Sequence, residues 1–87
     1  MFVILSYDIS SKKGKKVLRE CRRMLLHVQK SLFEGEITEK RLNRLKDSIA
    51  RTIDPTVDSV VIYRFGLFPG GERESIGISP PSSNTIL

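Results

Sequence analysis

The sequence is poor in the residues that usually build small secreted or metal-bound domains. Among 87 residues there is one cysteine, Cys21, one histidine, His27, and no tryptophan. A lone cysteine closes no internal disulfide and fits a reducing compartment, the cytoplasm. No zinc-type Cys/His spacing, glycine-rich phosphate loop or Ser-His-Asp set occurs. Long apolar runs are missing too. The longest, Met1 to Leu5, falls far short of the roughly 20 residues of a membrane helix. No basic stretch followed by an apolar one reads as a secretory signal, so no membrane partner is expected. Acidic residues are outnumbered, 10 against 15 Lys or Arg, giving a net charge of +5. With 39% hydrophobic and 29% charged residues, the composition excludes a disordered polyampholyte and suits one small globular domain. A chain this short hides only about 60–70% of its unfolded surface, so a second copy would help complete its core.

The positive charge is concentrated. Between Lys12 and Lys30 stand eight basic residues and one acid, Glu20, a net of +7; the remainder carries −2. Lys12, Lys15, Lys16, Arg19, Arg22 and Arg23 recur at helical spacing opposite an apolar row of Val17, Cys21, Met24, Leu25 and Val28. Such a cationic stripe can follow a phosphate backbone with little sequence preference. A solvated helix face is the plainer reading, but the one-sided charge favours a nucleic-acid partner.

Phe2 to Leu5 reads as a central strand buried on both faces, ending in Ser6-Tyr7-Asp8. Ser10 or Ser11 is placed to cap the helix that follows. His27 to Ile37 reads as two short strands with a turn or bulge around Gly35. Thr38 fits the N-cap of a second helix, with Ile37 and Leu42 as a hydrophobic staple and Leu42, Leu45, Ile49 and Ile53 as its buried face. Pro55 ends it, and Ser59 to Phe65 is β-branched and aromatic, as a strand requires. Then come a turn signal at Pro69-Gly70-Gly71, alternation at Ile76 and Ile78, a linker-like Pro80-Pro81-Ser82-Ser83 and the apolar end Thr85-Ile86-Leu87. The order predicts an α+β, ferredoxin-like βαββαβ sandwich over residues 1–65, with a C-terminal strand and tail over 66–87. Both helices would lie on one sheet face. The bare face would pack on a second copy, making a homodimer.

Asp8 is the one carboxylate set at the end of the buried strand. Mg²⁺ wants about six oxygen ligands, so a single aspartate builds no site. A two-fold axis nearby would bring two Asp8 side chains toward one ion, for phosphodiester hydrolysis. Aspartate at such a position also commonly caps a helix or bonds local amides. Ser10 has no evident base beside it and reads as a cap rather than a nucleophile. His27 is more simply structural than a general base, and Cys21 lies on the apolar helix face as a core residue.

Three segments, Phe2 to Ser10, Val28-Gln29-Lys30-Ser31-Leu32-Phe33-Glu34-Gly35-Glu36-Ile37-Thr38, and Asp58 to Arg64, together resemble the CRISPR-associated Cas2 family, the smaller of two spacer-adaptation proteins. The resemblance is carried by residues 1 to about 65. It implies a ferredoxin-like homodimer acting in spacer acquisition, with the segment from Gly66 onward pairing with the partner subunit, and partnered by a larger integrase-like protein with double-stranded DNA across the assembly. It implies metal-dependent endonuclease capacity on RNA or DNA, with Asp8 as the catalytic and metal-binding aspartate and Mg²⁺ or Mn²⁺ as cofactor. Tyr7, Ser10, Ser31 and Phe33 would support that site, Ser31 and Phe33 by lining the groove near it, with a place in the core as the alternative for Phe33. The family's arginine before the Val-Gln pair is His27 here. Two further classes stay open: a toxin-type ribonuclease similar to the virulence-associated D family, and a non-catalytic module, a nucleic-acid scaffold or a ligand-binding regulator, on the same fold.

Overall fold

Seven elements follow one another: β1 (Phe2–Asp8), α1 (Gly14–Arg22), β2 (Leu26–Gln29), β3 (Leu32–Glu36), α2 (Glu39–Thr52), β4 (Ser59–Phe65) and β5 (Glu72–Gly77). They come from a computed structural model that describes residues 1–66 and 71–78. The expected turn at Pro69-Gly70, the Pro80-Pro81 linker and the end at Thr85-Ile86-Leu87 lie outside the described residues.

The strands form one antiparallel sheet in the order β2-β3-β1-β4-β5. β1 is central because it is apolar on both faces, and it pairs with β3 on one side and β4 on the other. Strand alternation sends Val3 and Leu5 to one face, with Phe33 of β3 and Val60 and Ile62 of β4. Against that face pack Val17 and Cys21 of α1 and Leu42, Leu45 and Ile49 of α2, making a single core. The expected α+β architecture with both helices on one side is the one observed.

α2 matches the sequence reading closely. The Thr38 hydroxyl accepts from the Arg41 amide at 3.2 Å, and Ile37 and Leu42 are both buried where a staple requires them. α1 differs. Its N-cap is Lys13, with no side-chain cap bond, so neither Ser10 nor Ser11 caps the helix. The Ser11 hydroxyl donates instead to Asp58 at 2.6 Å. α1 also ends earlier than its apolar row suggests. Leu25 stays in the core, but Val28 belongs to β2 and is exposed, because the chain has left the helix to pair with β3.

The turn expected around Gly35 occurs at Lys30–Ser31, where Lys30 takes the left-handed conformation (φ 40°). Gly35 lies inside β3 opposite Val3. Its φ of 155° is one that L side chains rarely adopt, which accounts for the glycine there; an added Cβ would meet a Leu25 methyl only at an ordinary contact distance of 3.5 Å. A register shift between His27 and Gln29 supplies the irregularity.

β5 pairs with β4 of the same chain, from Ser59↔Gly77 to Arg64↔Glu72. Ions fasten it to the helix layer. Glu74 receives Lys46 of α2 and, at 2.8 Å, Arg64 of β4, which also reaches Glu39. Burial would raise the Glu74 carboxyl, but the hydrogen bonds from Lys46 and Arg64 outweigh it and hold its pKa below the usual range.

Candidate metal and nucleic-acid sites

β1 delivers Asp8 to solvent at its C-terminal end, in register with Ser59 of β4. Alternation assigns Phe2, Ile4, Ser6 and Asp8 to the face that carries no helix. Registered beside them are Leu32, Glu34 and Glu36 of β3 and Ser59, Val61, Tyr63 and Phe65 of β4. Most of these side chains are only partly buried, and Phe65 is 44% exposed. The carboxylate thus stands at the border of an apolar surface that no described element covers. Among the described residues no hydrogen bond or ion pair engages it, and no group of three or more His, Cys, Asp or Glu could hold a metal ion. Of the residues registered on this face, Asp8 is the one carboxylate at the C-terminal end of β1; Glu34 and Glu36 pair with Ile4 and Phe2 further along the strand.

The local capping role that sequence reasoning allowed to Asp8 is filled by another residue. Asp58 is fully buried just before β4. It accepts from the amides of Ser10 (2.8 Å) and Ser11 (2.9 Å), the Ser11 hydroxyl (2.6 Å) and the Asp54 amide (2.8 Å). Burial pushes this carboxyl up, but these four bonds outweigh it and hold it below its ordinary value. The bonds pin the loop leaving β1 to the loop entering β4, fixing both ends of the Asp8–Ser59 pair. Gly77 packs against the same turn; with φ 86°, a Cβ there would come within 2.2 Å of the Asp58 carbonyl oxygen. Nothing in the sequence links Asp58 to serines 47 and 48 residues away. The legible sign was the run Asp54-Pro55-Thr56-Val57-Asp58, which reads only as a turn.

The residues expected to support Asp8 divide between the faces. Ser10 is exposed, two positions beyond Asp8. Tyr7 and Phe33 are on the helix side, stacked with centroids 6.1 Å apart, and Phe33 is fully buried in the core. Ser31 is in the β2–β3 turn, where its carbonyl accepts from the Tyr7 amide at 3.2 Å. Burial raises the Tyr7 phenol and pushes the Cys21 thiol up to about 12, so Cys21 is an inert core residue. His27 stacks on Phe33 at 4.5 Å and bonds the Lys30 carbonyl through Nε2; Nδ1 faces the Arg22 guanidinium at 3.4 Å. Because a carbonyl only accepts, Nε2 carries the proton. That is an anchoring arrangement for the hairpin.

Lys12, Lys15, Lys16, Arg19, Arg22 and Arg23 are all exposed. Glu20, the one acid among them, is turned inward: its side chain is 21% exposed, accepts from the Ser48 hydroxyl of α2 at 3.0 Å and lies 3.9 Å from Arg23. The outer surface of α1 is therefore cationic throughout.

The family model for CRISPR associated protein Cas2 matches residues 1–67, the span from β1 through β4. The chain belongs to the Cas2 family. A "CRISPR-associated endoribonuclease Cas2" from Methanocaldococcus jannaschii is 42% identical over 87 residues, covering all of this chain and 76% of the relative. Proteins of the same description from Thermococcus kodakarensis and Pyrococcus furiosus are 40% and 37% identical, covering the whole of both chains. A crystal structure of Cas2 aligns with a TM-score of 0.69 at 31% identity, over 83% of this chain and 87% of the other. Streptococcus pyogenes Cas2 aligns with a TM-score of 0.65 at 30% identity, over 76% and 87%. Cas2 membership was legible in the three segments around Asp8, Phe33 and Val60. It sets aside the virulence-associated D alternative. Among the described residues no helix is long and apolar enough to cross a membrane.

Proposed function

We propose that the protein acts as a homodimeric, nucleic-acid-binding endonuclease of CRISPR adaptation, with Asp8 of each subunit forming one divalent-cation site. The observation that carries this reading is the position of Asp8: exposed, without a partner among the described residues, and bordering the uncovered apolar face. Covering Ile4, Val61, Tyr63 and Phe65 with a second copy removes apolar surface from water and sets two carboxylates near one axis. Two carboxylates with water fit Mg²⁺ or Mn²⁺, whereas the Asp8 carboxylate of one chain alone does not. The bound ion supplies Lewis acidity and a more acidic water at the scissile phosphodiester.

The chain's own residues do the rest. Asp8 holds the cation from the end of a rigid strand. Asp58 fixes the loop that follows. Lys12, Lys15, Lys16, Arg19, Arg22 and Arg23 hold the phosphate backbone of RNA or duplex DNA. The named activity of the relatives, endoribonuclease, supports a hydrolytic role. Membership supports partnership with the larger integrase-like adaptation protein, and the buried Cys21 suits the cytoplasm.

Titration calorimetry with Mg²⁺ and Mn²⁺ tests the site. Asp8→Asn should lose the binding seen in wild type while keeping its melting temperature, because the carboxylate makes no bond among the described residues. Equal affinity in both proteins would sink the metal site. Cleavage of RNA and duplex DNA, with and without Mg²⁺, should vanish in the same variant. Ile4→Glu should give monomers in sedimentation, and a dimer surviving it would remove the axis. A scaffold reading is favoured by one observation, that each chain offers a single carboxylate at the C-terminal end of β1. It predicts that Asp8→Asn binds nucleic acid as wild type does and that neither protein cleaves.

A further inference from the structure

The sequence reading placed the nucleic-acid surface on α1 alone. We infer that α2 supplies a second cationic row, so that the phosphate backbone of a nucleic acid lies over both helices. The inference rests on the reading of α1 as a backbone-binding helix and extends it to a surface that the charge pattern did not single out.

The contacts of α2 fix which way each side faces. Leu42, Leu45 and Ile49 are buried against the sheet. Lys46 and Glu39, seven residues apart and so on one side, are held by Glu74 and Arg64. Ser48, on the opposite side, bonds Glu20 of α1. What remains points away from the molecule: Lys40, Arg44 and Arg51, at i, i+4 and i+11, with Arg41 turned toward the Ser48 side. All four are exposed, and among the described residues none is in an ion pair. Asp47 is the one free acid in the row. The acids that could have neutralised the layer are engaged elsewhere, Glu20 by Ser48 and Arg23, Glu39 by Arg64.

The two rows belong to one surface. α1 and α2 pack side by side on the same sheet face, and the Ser48–Glu20 bond joins them at the seam. Lys16 of α1 and Arg23 at its C-cap lie at helical spacing on the flank next to Glu20, so they border the seam that Arg41 and Arg44 border from α2. Packed helices run about 8–10 Å apart, a separation that lets one polyanion touch both. Lysine and arginine rows without aromatic side chains among them suit a phosphate backbone rather than unstacked bases.

The test measures anisotropy of a labelled DNA duplex of arbitrary sequence against salt, for the full chain and two triple variants. Lys40→Gln/Arg44→Gln/Arg51→Gln removes the α2 row; Lys15→Gln/Lys16→Gln/Arg19→Gln takes three of the six cations from the α1 stripe. The α2 variant should bind on the order of tenfold more weakly, alike on a second unrelated sequence, with the slope of log affinity against log salt shallower by roughly two to three, since each phosphate contact contributes about 0.9. If the α2 variant matches wild type in affinity and slope while the α1 variant loses both, the second row is refuted and the α1 reading stands. If neither moves, the helix face is not the nucleic-acid surface and both fall. A single Arg44→Gln exchange, with an expected slope change of about one, keeps the test decisive should the triple variant unfold.

Discussion

The two faces of the sheet are cut from the same strands by the same alternation, yet one is closed and the other open. On the closed face Val3, Leu5, Phe33, Val60 and Ile62 are sealed by two helices whose outer surfaces carry cations. On the open face Ile4, Val61, Tyr63 and Phe65 are at most partly buried, and Asp8 stands at their border. Chemistry that must meet a substrate cannot sit in a sealed core, and charge that must reach a polyanion cannot sit on an apolar sheet. The division puts the cationic rows on one side and the exposed carboxylate of Asp8 on the other, with the loop at the end of β1 between them.

Substitutions of matched character on the two sides probe that division. Phe33→Ala should cost the most, about 3–5 kcal/mol by chemical denaturation, because it empties the centre of the core. Asp58→Asn should cost about 2–3 kcal/mol, since an amide leaves donors facing a group that cannot accept from all of them. Its cost should also depend on pH. The Asp58 carboxyl titrates below its ordinary 3.8 in the folded chain, so its stabilisation is complete above that value and fades as pH falls through the folded pKa. The gap in melting temperature between wild type and Asp58→Asn should therefore be widest near neutrality and close in acid; a gap that widens in acid would contradict the assigned hydrogen bonds. Thr38→Ala should cost about 1 kcal/mol through the lost cap. Phe65→Ser, which changes an aromatic of the open face, should cost only about 0.5 kcal/mol in dilute protein. Its cost should grow with concentration if a second copy covers it. A Phe65 effect as large as that of Phe33 at every concentration would show that the open face is not open.

Most of this division was readable from residue patterns. The apolar run of Phe2 to Leu5 identified the central strand, and Thr38, Leu42 and Ile49 identified α2, because capping and periodicity are local signals. The clustered charge before Lys30 identified the cationic face. Three features were hidden. Val28 continued a helical spacing by coincidence, and only strand pairing with β3 shows that the helix stops at Arg22. Gly35 looked like a turn, but it stands inside β3 at a backbone φ of 155° that other residues rarely adopt. Asp58 acts through bonds spanning more than half the chain, which no local pattern encodes. The likeness to known proteins saw Asp8; geometry was needed to see that a different aspartate does the structural work beside it.

The order β2-β3-β1-β4-β5 has a consequence for how the protein is made. Of the five described strands, the earliest in the chain is the central one, and its β4 partners begin at Ser59. At roughly 5–20 residues per second, Phe2 to Leu5 spends several seconds with one edge unsatisfied while the rest of the chain is synthesised. Closure of the sheet must wait for contacts between segments far apart in the chain, the kind that slow folding. A chain halted at Pro55 should be cut readily by protease, while one extended through Gly77 should resist. The arrangement that gives Asp8 its rigid seat leaves the earliest apolar segment waiting longest for cover.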